Sequence, residues 1–567
     1  MIRILRARTA RHAVAAPARA SLSRRRIAMA VWVAVAMGCS DDEVTPAKFR
    51  PPQTWTVVVA ASAAEAVRHA AADARTYLAA MGLKATVDQI PAGASVEPVC
   101  APGAGIVALV GDGVGSAPVA VEASDQTYRY HETRCGDGAL VRLSGGGLLG
   151  RQYAVYEWLH LLGVRFFHPE QEFVPASPIW PADPAERTHT PDFRWRSVSL
   201  HLTHPLELGD VFRLADPARV DEGLRYIDWQ IKNGASYGAG GVPLAGYGDW
   251  GHRRGFPHSN GFGLYGQQQG GKPLIDPDSE VPVDQQITDA IDARMGIDPE
   301  AYPDFFSFTF NPTEFTEMDD QVVVHQLTLI ANHVEQHYPD TRLMTINHGS
   351  AGDPTPHYGI RYFDLPKLAP PNLGVTVHSL MFYDLFRPAP VYGNEDFHFL
   401  YDFMASEQDK RPLWYFPEAA WWLTFDIQLP LYLPITIEAR DRDIQGIRWM
   451  LNGKLDGHRT FGSGHEWGYW QNEYCSLRLA MDVNYRWQDC LADLASPMGA
   501  AAAEVAAVLE AAVLGQEAEF VTGDLLRWLV GSDPETEAAA ALGIHFHPLP
   551  PSPAQIATWT AGEVANW

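Results

Sequence analysis

The clearest hydrophobic pattern in the chain lies between residues 303 and 338. Phe305–Phe310 is almost entirely aromatic, which is typical of a strand that is buried on both faces. Asn311-Pro312 then predicts a turn. Asp319 has the character of a helix N-cap, and apolar residues recur behind it at helical spacing. This stretch therefore predicts a strand, a loop and a helix, the repeating unit of a parallel sheet.

Shorter patterns of the same kind fill residues 54–180. The predicted strands are Trp55–Ala60, Thr86–Ile90, Gly105–Val110, Ala139–Ser144 and Val164–Phe167, and the predicted helices are Ala63–Met81 and Leu149–Leu162. The glycines at 145–147 lack the spacing of a phosphate-binding loop, so they predict a turn. Together these patterns predict a small α+β domain.

Strand and helix patterns continue to alternate over residues 190–490. The predicted strands are Phe193–His201, Phe305–Phe310, Arg342–Ile346, Leu373–Leu380, Pro412–Phe416 and Gly457–Gly462, and the predicted helices are Tyr226–Asn233, Phe397–Ser406 and Thr436–Met450. The alternation predicts a (β/α)8 barrel of the TIM type, in which the third strand is the least clearly marked. Residues 495–567 are expected to form a helical C-terminal segment, beginning with the helices Pro497–Leu514 and Glu517–Val530. The expected fold class is therefore α/β.

The N-terminus has the features of an export signal. Arg24–Arg26 precede the apolar run Ile27–Met37, which is too short to span a membrane as a helix. The run ends just before Cys39 in a sequence that resembles a bacterial lipobox, and this resemblance implies lipid attachment at that cysteine. Residues 1–38 are thus expected to be a signal peptide and residues 39–53 a tether, with the protein anchored in the cell envelope. The alternative is an ordinary signal peptide with an incidental cysteine, and a secreted protein.

The net charge of the chain limits the kinds of partner that it can bind. The chain of 567 residues carries a formal net charge of −25, and its first 38 residues hold eight Arg and no acid. The remainder, at about −33, repels nucleic acid and anionic lipid. We therefore expect no nucleic-acid partner and membrane contact only through the lipid anchor.

Four cysteines remain after Cys39. They are Cys100, Cys135, Cys475 and Cys490. In an exported protein four thiols allow three pairings, and the local one, Cys100 with Cys135 and Cys475 with Cys490, keeps each bridge inside one predicted domain. No Cys-x-x-Cys or Cys/His spacing predicts zinc, so we expect neither a metal nor a cofactor.

Residues 146–175, GGLLGRQYAVYEWLHLLGVRFFHPEQEFVP, carry a family resemblance. They resemble the end of the small N-terminal domain that precedes the barrel in β-N-acetylhexosaminidases and α-glucuronidases. They resemble even more closely the same domain in a group of uncharacterised bacterial secreted proteins with a glycosidase-like barrel. The resemblance extends over residues 54–490, with strong motifs in the first third. It implies that residues 54–180 form a non-catalytic domain packed beside a glycosidase-like barrel.

Polar and aromatic residues cluster at the ends of the predicted barrel strands, the face that carries the active site in such barrels. The residues that we expect to contact the substrate are Arg196, His201, His258, Asn311, His348, His378, Tyr383, Trp421, Trp422, Glu466, Trp467 and Trp470. Aromatic faces stack on the apolar faces of sugars, and His, Asn and Arg bind hydroxyls or a uronate. The cluster therefore predicts a carbohydrate substrate.

Three carboxylates fall at the ends of the predicted fourth, sixth and seventh strands. Glu314 is our candidate for the general acid, since a Phe-rich strand can desolvate it and raise its pKa. Asp384 and Glu418 are candidates for the base or nucleophile that glycoside hydrolysis requires. The order Glu, Asp, Glu resembles the α-glucuronidase pattern, although the sequence around Glu314 differs. Thr313 stands where hexosaminidases have the Asp of an Asp-Glu pair, and each carboxylate taken alone also suits a structural role.

These features favour an exported glycoside hydrolase that acts on poly- or oligosaccharides, uronic-acid-containing ones among them, with two carboxylates and no metal. The first alternative is a glycan-binding surface lipoprotein on a glycosidase scaffold that has lost catalysis. The second is a metal-dependent hydrolase that uses His201, His204 or later histidines, which metal analysis of the purified protein decides.

If Glu314 is the general acid, Glu314→Gln abolishes hydrolysis, because an amide cannot protonate the leaving oxygen. The variant should fold like the parent chain, as measured by circular dichroism. Unchanged hydrolysis would remove Glu314 from the mechanism. A panel of aryl glycosides without any turnover, alongside measurable oligosaccharide binding, would select the glycan-binding alternative.

Overall fold

The computed structural model describes residues 51–96, 103–110, 126–200, 220–238, 247–265, 274–296, 303–310, 318–348, 354–380, 383–389, 394–419, 436–462 and 470–518, with Thr558 and Thr560. The residues of predicted function that lie outside this part are Cys39, Cys100, His201, Asn311, Glu314, Trp421, Trp422, Glu466 and Trp467. The predicted signal peptide and most of the predicted helix Glu517–Val530 also lie outside it.

The strands and helices of the described residues are numbered in chain order. The strands are β1 (Thr54–Ala60), β2 (Lys84–Ile90), β3 (Ala104–Val110), β4 (Tyr128–Cys135), β5 (Gly138–Gly145), β6 (Arg165–His168), β7 (Gln171–Phe173), β8 (Glu186–His189), β9 (Trp195–Leu200), β10 (Ser259–Gly263), β11 (Phe305–Thr309), β12 (Arg342–His348), β13 (Gly374–His378), β14 (Leu413–Phe416) and β15 (Leu455–Gly462). The helices are α1 (Glu65–Ala80), α2 (Gly147–Leu161), α3 (Val220–Lys232), α4 (Tyr247–Arg253), α5 (Val283–Met295), α6 (Asp320–His337), α7 (His398–Glu407), α8 (Ile437–Ile447), α9 (Trp470–Met481), α10 (Trp487–Ala495) and α11 (Ala502–Gln516). Short 3₁₀ helices span Tyr362–Leu368, Arg448–Asn452 and Ser496–Ala501.

The first large sheet has the strand order β2-β1-β3-β5-β4-β8. Its first four strands are parallel, and β4 and β8 are antiparallel to their neighbours. The sequence predicted the parallel strands but missed β4, in which the buried Tyr128 and Tyr130 alternate with charged residues. Because β8 pairs with β4, this sheet continues to His189.

The second large sheet has seven parallel strands in the order β10-β11-β12-β13-β14-β15-β9. It is strongly curled. Trp195 in β9 and Phe305 in β11 are five strand positions apart, which would be about 24 Å in a flat sheet, yet their ring centroids are 4.7 Å apart. The parallel alternation predicted from the sequence is therefore present as a curled, half-barrel sheet.

The segment with the clearest sequence pattern forms β11 and α6 of this sheet. Asp319 caps α6 as predicted, since its Oδ1 accepts hydrogen bonds from the backbone N–H groups of Gln321 at 3.0 Å and Val322 at 3.1 Å. Val323, Leu327, Ile330 and Val334 are buried on the inner side of the helix. Here local propensity and tertiary packing agree.

A short segment bridges the two edge strands of the curled sheet. The backbone N–H of Ser236 donates to the carbonyl oxygen of Arg196 in β9 at 2.8 Å. The N–H of Gly238 donates to the carbonyl oxygen of Pro257, just before β10, also at 2.8 Å. The amino ends of the two edge strands are therefore linked through residues 236–238.

An aromatic layer fills the inside of the curled sheet near the amino ends of its strands. The aromatic layer consists of Tyr237, Phe305, Met344 and Trp414, with Trp195 packed against them. The ring centroids of Tyr237 and Trp414 are 4.9 Å apart, and those of Phe305 and Trp414 are 5.1 Å apart. Gly457 makes room for this packing, since a Cβ there would lie 1.9 Å from Trp414. Burial of these large rings stabilises the curl.

Two disulfide bonds involve cysteines of the described residues. Cys475 in α9 and Cys490 in α10 are buried and joined by a disulfide, which is one of the two local pairings considered above. Cys135 is also disulfide-bonded, to a partner outside the described residues. The first bond ties the C-terminal helices to the outer side of the curled sheet.

The predicted helix Pro497–Leu514 is divided in the structure. A 3₁₀ helix, Ser496–Ala501, precedes α11 because Gly499 has a φ of +58°. By length and composition alone the stretch Trp487–Gln516 could cross a membrane. Its first helix, however, buries Trp487 and Leu491 in the core beside the curled sheet.

A buried ion pair connects α2, which covers the first sheet, with α9, which covers the second. Arg478 Nη2 donates to Glu157 Oε2 at 3.0 Å, and Nη1 donates to Oε1. The two side chains are only 7% and 6% exposed. Burial opposes ionisation of Glu157, but the charge and hydrogen bonds of Arg478 outweigh it and lower the pKa of Glu157 to about 2. The pair is therefore ionised at neutral pH.

We predict that Arg478→Met lowers the free energy of unfolding by about 3–5 kcal/mol, because Glu157 stays buried without its partner. Urea unfolding at pH 7 measures the loss. Arg253→Ala is the matched control, because its pair with Glu65 is about half exposed, and it should cost less than about 1 kcal/mol. Equal losses in the two variants would contradict the assigned role of the buried pair.

The same measurement at lower pH tests the ionisation of Glu157. Folding lowers its pKa from 4.5 to about 2, so its contribution to stability is fully present above pH 4.5. It is lost as the pH falls towards 2. The stability difference between the parent chain and Glu157→Gln should therefore shrink over this interval.

Candidate active site

The carboxyl ends of β12, β13 and β14 bring three predicted site residues together. The strands pair in parallel, with His348 opposite His378 and His378 opposite Phe416. Residues two apart along a strand share a face, so Glu418 continues the row begun by Phe416. A bridge between Glu418 and Phe461 extends the pairing with β15 beyond the end of β14. The register of the sheet therefore places two histidines and a glutamate side by side.

His378 and Glu418 are both buried and face each other, with His378 Nε2 3.4 Å from Glu418 Oε1. The other ring nitrogen, Nδ1, is 2.8 Å from the carbonyl oxygen of Phe416. Because a carbonyl oxygen only accepts hydrogen bonds, Nδ1 carries a proton. Nε2 then faces a carboxylate oxygen of Glu418. The imidazole nitrogen and the carboxyl group are therefore close enough to act together on a substrate.

His348 supplies a neutral neighbour to this pair. Its ring centroid is 5.2 Å from that of His378. Burial, together with the adjacent His378, holds the pKa of His348 well below the usual 6.5. His348 is therefore uncharged at neutral pH.

Arg459 in β15 completes the row, although the sequence analysis did not single it out. Its Nη2 donates to Ser199 Oγ in β9 at 2.7 Å, and its Cζ is 4.6 Å from the centroid of the Phe416 ring. Arg459 is 8% exposed, and burial lowers its pKa. Among the described residues its Nε has no hydrogen-bond partner, and no carboxylate lies within ion-pair distance. The guanidinium can therefore receive an anionic group.

We call His348, His378, Glu418 and Arg459 the rim cluster. It combines a carboxyl group, two imidazoles and a buried cation. These groups suit acid/base chemistry on a polar substrate that carries an anion. Four groups of His and Asp side chains in the described chain converge closely enough to hold a metal ion, and none of them includes a residue of the rim cluster.

Asp384, a candidate base or nucleophile, is engaged by its neighbours. Its Oδ1 accepts hydrogen bonds from the backbone N–H groups of Phe386 and Arg387, each at 2.8 Å. Its Oδ2 pairs with the Arg387 side chain, and Arg442 of α8 lies 3.5 Å away. The carboxylate is fully buried against α8. These contacts suit the structural alternative given above.

Arg196 and His258 lie at the amino ends of their strands, the edge opposite the rim cluster. The buried guanidinium of Arg196 donates to the carbonyl oxygen of Gly234 at 2.6 Å and to Tyr153 Oη of α2 at 3.1 Å. It therefore joins β9 to α2, which covers the first sheet. His258 precedes β10, and its backbone N–H donates to Asp304 at 3.1 Å. The structure brings neither residue to the expected substrate-binding face.

Tyr383 and Trp470 pack in the apolar layer between the curled sheet and its helices. Tyr383 is 1% exposed, and its ring contacts Phe397 at a centroid distance of 6.2 Å. Trp470 begins α9, with its ring centroid 5.6 Å from that of Phe167. In the structure both residues are part of the core rather than of the rim cluster.

The sequence matches no protein-family model and no curated protein. Two glycoside hydrolases are among the solved structures that are similar in fold. One is BtGH115A, a family GH115 4-O-methyl-α-glucuronidase with specificity for decorated arabinogalactans, with a TM-score of 0.52 and 11% identity over 82% of this chain and 62% of that one. The other is a GH138 enzyme targeting pectin rhamnogalacturonan II, with a TM-score of 0.51 and 10% identity over 85% of this chain and 71% of that one.

The fold is glycoside-hydrolase-like. At identities of 10% and 11% the likeness shows the fold and not the reaction. The chain spans 62% of the length of BtGH115A. The finding agrees with the glycosidase-like fold that the resemblance of residues 146–175 implies.

Proposed function

We propose that this protein is a glycoside hydrolase on a (β/α)8 barrel, with its active site at the rim cluster. The observation that carries the proposal is the contact between His378 and Glu418 at the carboxyl ends of parallel strands. A carboxyl group beside an imidazole at this edge has the position and the chemistry that glycoside hydrolysis requires. The glycoside-hydrolase-like fold supports the same function.

In the proposed reaction Glu418 is the base or the nucleophile. As a base, Glu418 takes a proton from the attacking water. His378 Nε2 can share that proton, because the Nδ1–H group remains hydrogen-bonded to the carbonyl oxygen of Phe416. As a nucleophile its ionised oxygen attacks the anomeric carbon. In both cases His378 positions the carboxyl group.

Glu314 remains our candidate for the general acid. β11 is parallel to β12 and adjacent to it, so the chain leaves β11 at the same edge of the sheet as the rim cluster. Glu314 follows five residues after the end of β11, outside the described residues. Support for its role as the proton donor comes from the sequence. With Asp384 engaged by Arg387, Glu314 and Glu418 form the catalytic carboxyl pair that we propose.

We infer a substrate that carries a carboxylate, of the kind found in uronic-acid-containing poly- or oligosaccharides. Arg459 is a buried cation with an unused Nε donor and no carboxylate partner among the described residues. A carboxylate matches a guanidinium through two parallel hydrogen bonds. The similar BtGH115A is a 4-O-methyl-α-glucuronidase, which agrees with a substrate of this class.

We also propose that the chain is exported and held in the cell envelope by a lipid on Cys39. The arginines and the short apolar run before this cysteine support export. The disulfide between Cys475 and Cys490 suits an oxidising compartment. Because the rest of the chain is acidic and is repelled by anionic lipid, the attached lipid is the proposed means of contact with the membrane.

We predict that Glu418→Gln lowers kcat on the best substrate of an aryl-glycoside panel by about 10²–10⁴-fold, because an amide can neither accept the proton nor attack the anomeric carbon. Thermal unfolding should change little, since the side chain keeps its size. Kinetics and differential scanning fluorimetry on the same preparation measure both effects.

Glu335→Gln is the matched control, because Glu335 is an exposed glutamate on α6. It should leave kcat unchanged. Full activity of Glu418→Gln would exclude the proposed mechanism. A parent chain that binds oligosaccharides in calorimetry but hydrolyses no glycoside would instead identify a glycan-binding protein.

We predict that Arg459→Met discriminates between charged and neutral substrates. Loss of the charge-assisted hydrogen bonds, worth about 1.5–3 kcal/mol, should reduce kcat/KM for an aryl uronide by about 10- to 150-fold. The corresponding neutral glycoside should be affected by less than about threefold, because it has no carboxylate to bind the guanidinium and Met retains an apolar chain at this position. Arg253→Met, at an exposed arginine, is the control. An equal loss for both substrates would overturn the inference of a uronate.

A further inference from the structure

His252, His258 and Asp304 converge at the amino ends of β10 and β11, the edge of the curled sheet opposite the rim cluster. His252 lies on α4, His258 immediately precedes β10, and Asp304 immediately precedes β11. Their side chains are 38%, 29% and 40% exposed, so solvent reaches the group. Nothing in the proposed hydrolytic reaction uses these residues.

Three potential ligand atoms lie close together in this group. His252 Nε2 is 2.8 Å from Asp304 Oδ2 and 3.2 Å from His258 Nδ1. His258 Nδ1 is 3.7 Å from the same carboxylate oxygen. Ligands that hold zinc at about 2.0–2.1 Å in a tetrahedron are about 3.3 Å from one another. The observed separations bracket that value, so a single ion can reach all three atoms without rearrangement of the backbone.

The chemistry of the donors suits a transition metal. Two imidazole nitrogens and one carboxylate oxygen are ligands that zinc accepts, and three protein ligands leave a fourth position for water. The backbone N–H of His258 donates to Asp304 Oδ2 at 3.1 Å. A carboxylate oxygen has two lone pairs, so this bond orients the carboxylate and leaves a lone pair for an ion.

The group also lacks a built-in cation. Among the described residues no lysine or arginine forms an ion pair with Asp304, whose close neighbours are the two histidines. The group formed by His69, Asp73 and Asp228 differs, because Lys232 Nζ lies 2.8 Å from Asp228 Oδ2. An ammonium group there already supplies the positive charge that an ion would bring.

We propose that His252, His258 and Asp304 bind one divalent transition-metal ion of the zinc type, which clamps α4 to the amino ends of β10 and β11. The ion is structural rather than catalytic, because the proposed reaction takes place at the opposite edge of the sheet. The sequence predicted no metal because it contains no Cys-x-x-Cys or Cys/His spacing. The proposed ligands are 6 and 46 residues apart, a spacing typical of no zinc motif. The proposal stands independently of the proposed hydrolysis.

The test uses the untagged full chain, stripped with EDTA, dialysed and titrated with zinc chloride in a calorimeter. We expect one zinc ion per chain and a higher thermal unfolding temperature. Magnesium chloride should have no comparable effect, because magnesium prefers oxygen ligands. Cobalt chloride should produce the visible absorption of a tetrahedral site.

His252→Ala and Asp304→Asn should each weaken zinc binding by more than about 100-fold, since even the loss of an outer-shell partner costs up to that amount. His252 is exposed on a short helix, so its variant should fold. His325→Ala, which breaks an exposed contact with Asp284, is the matched control and should bind zinc like the parent chain. Absence of stoichiometric zinc in the parent chain, or equal zinc affinity of His252→Ala and the parent, would overturn the proposal.

Discussion

The curl of the parallel sheet is the constraint on which the candidate site depends. Strand pairing alone would spread the ends of β12 to β15 along a flat edge. The aromatic layer beneath them holds Trp195 of one edge strand against Phe305, five strand positions away, and so bends that edge into an arc. Side chains on the inner face then point towards a common centre. Burial of large aromatic surfaces is a non-directional interaction. By bending the sheet, it nevertheless fixes the directions in which the side chains of the rim cluster point.

Parallel pairing also gives the sheet two chemically different edges. The carboxyl edge gathers His348, His378 and Glu418, and the amino edge gathers the proposed metal ligands, His258 among them. The end of the strand at which a histidine lies therefore decides whether it belongs to the rim cluster or to the proposed metal site. His258 shows the consequence, because a residue expected at the substrate face lies beside Asp304 at the other edge.

Buried charges have different roles at different places in this fold. Glu157 and Arg478 satisfy each other and hold α2 against α9, and Asp384 is satisfied by a turn and by Arg387. Arg459 is as deeply buried, yet its Nε has no partner among the described residues. The presence or absence of a partner, rather than burial itself, distinguishes a structural charge from one that can meet a substrate.

The sequence by itself determined where most of the regular elements lie and which strand ends carry polar groups, although it missed strands such as β4. The aromatic run of β11 and the N-cap Asp319 were recognisable because periodicity and capping are local properties. Glu418 and His378 were also recognisable, because each follows or ends a plainly apolar strand. Only the tertiary structure decided that these two meet while Asp384 turns to Arg387, and that Arg459 joins them. The register between strands and the direction of each side chain depend on neighbours that are distant in sequence, and no local pattern contains that information.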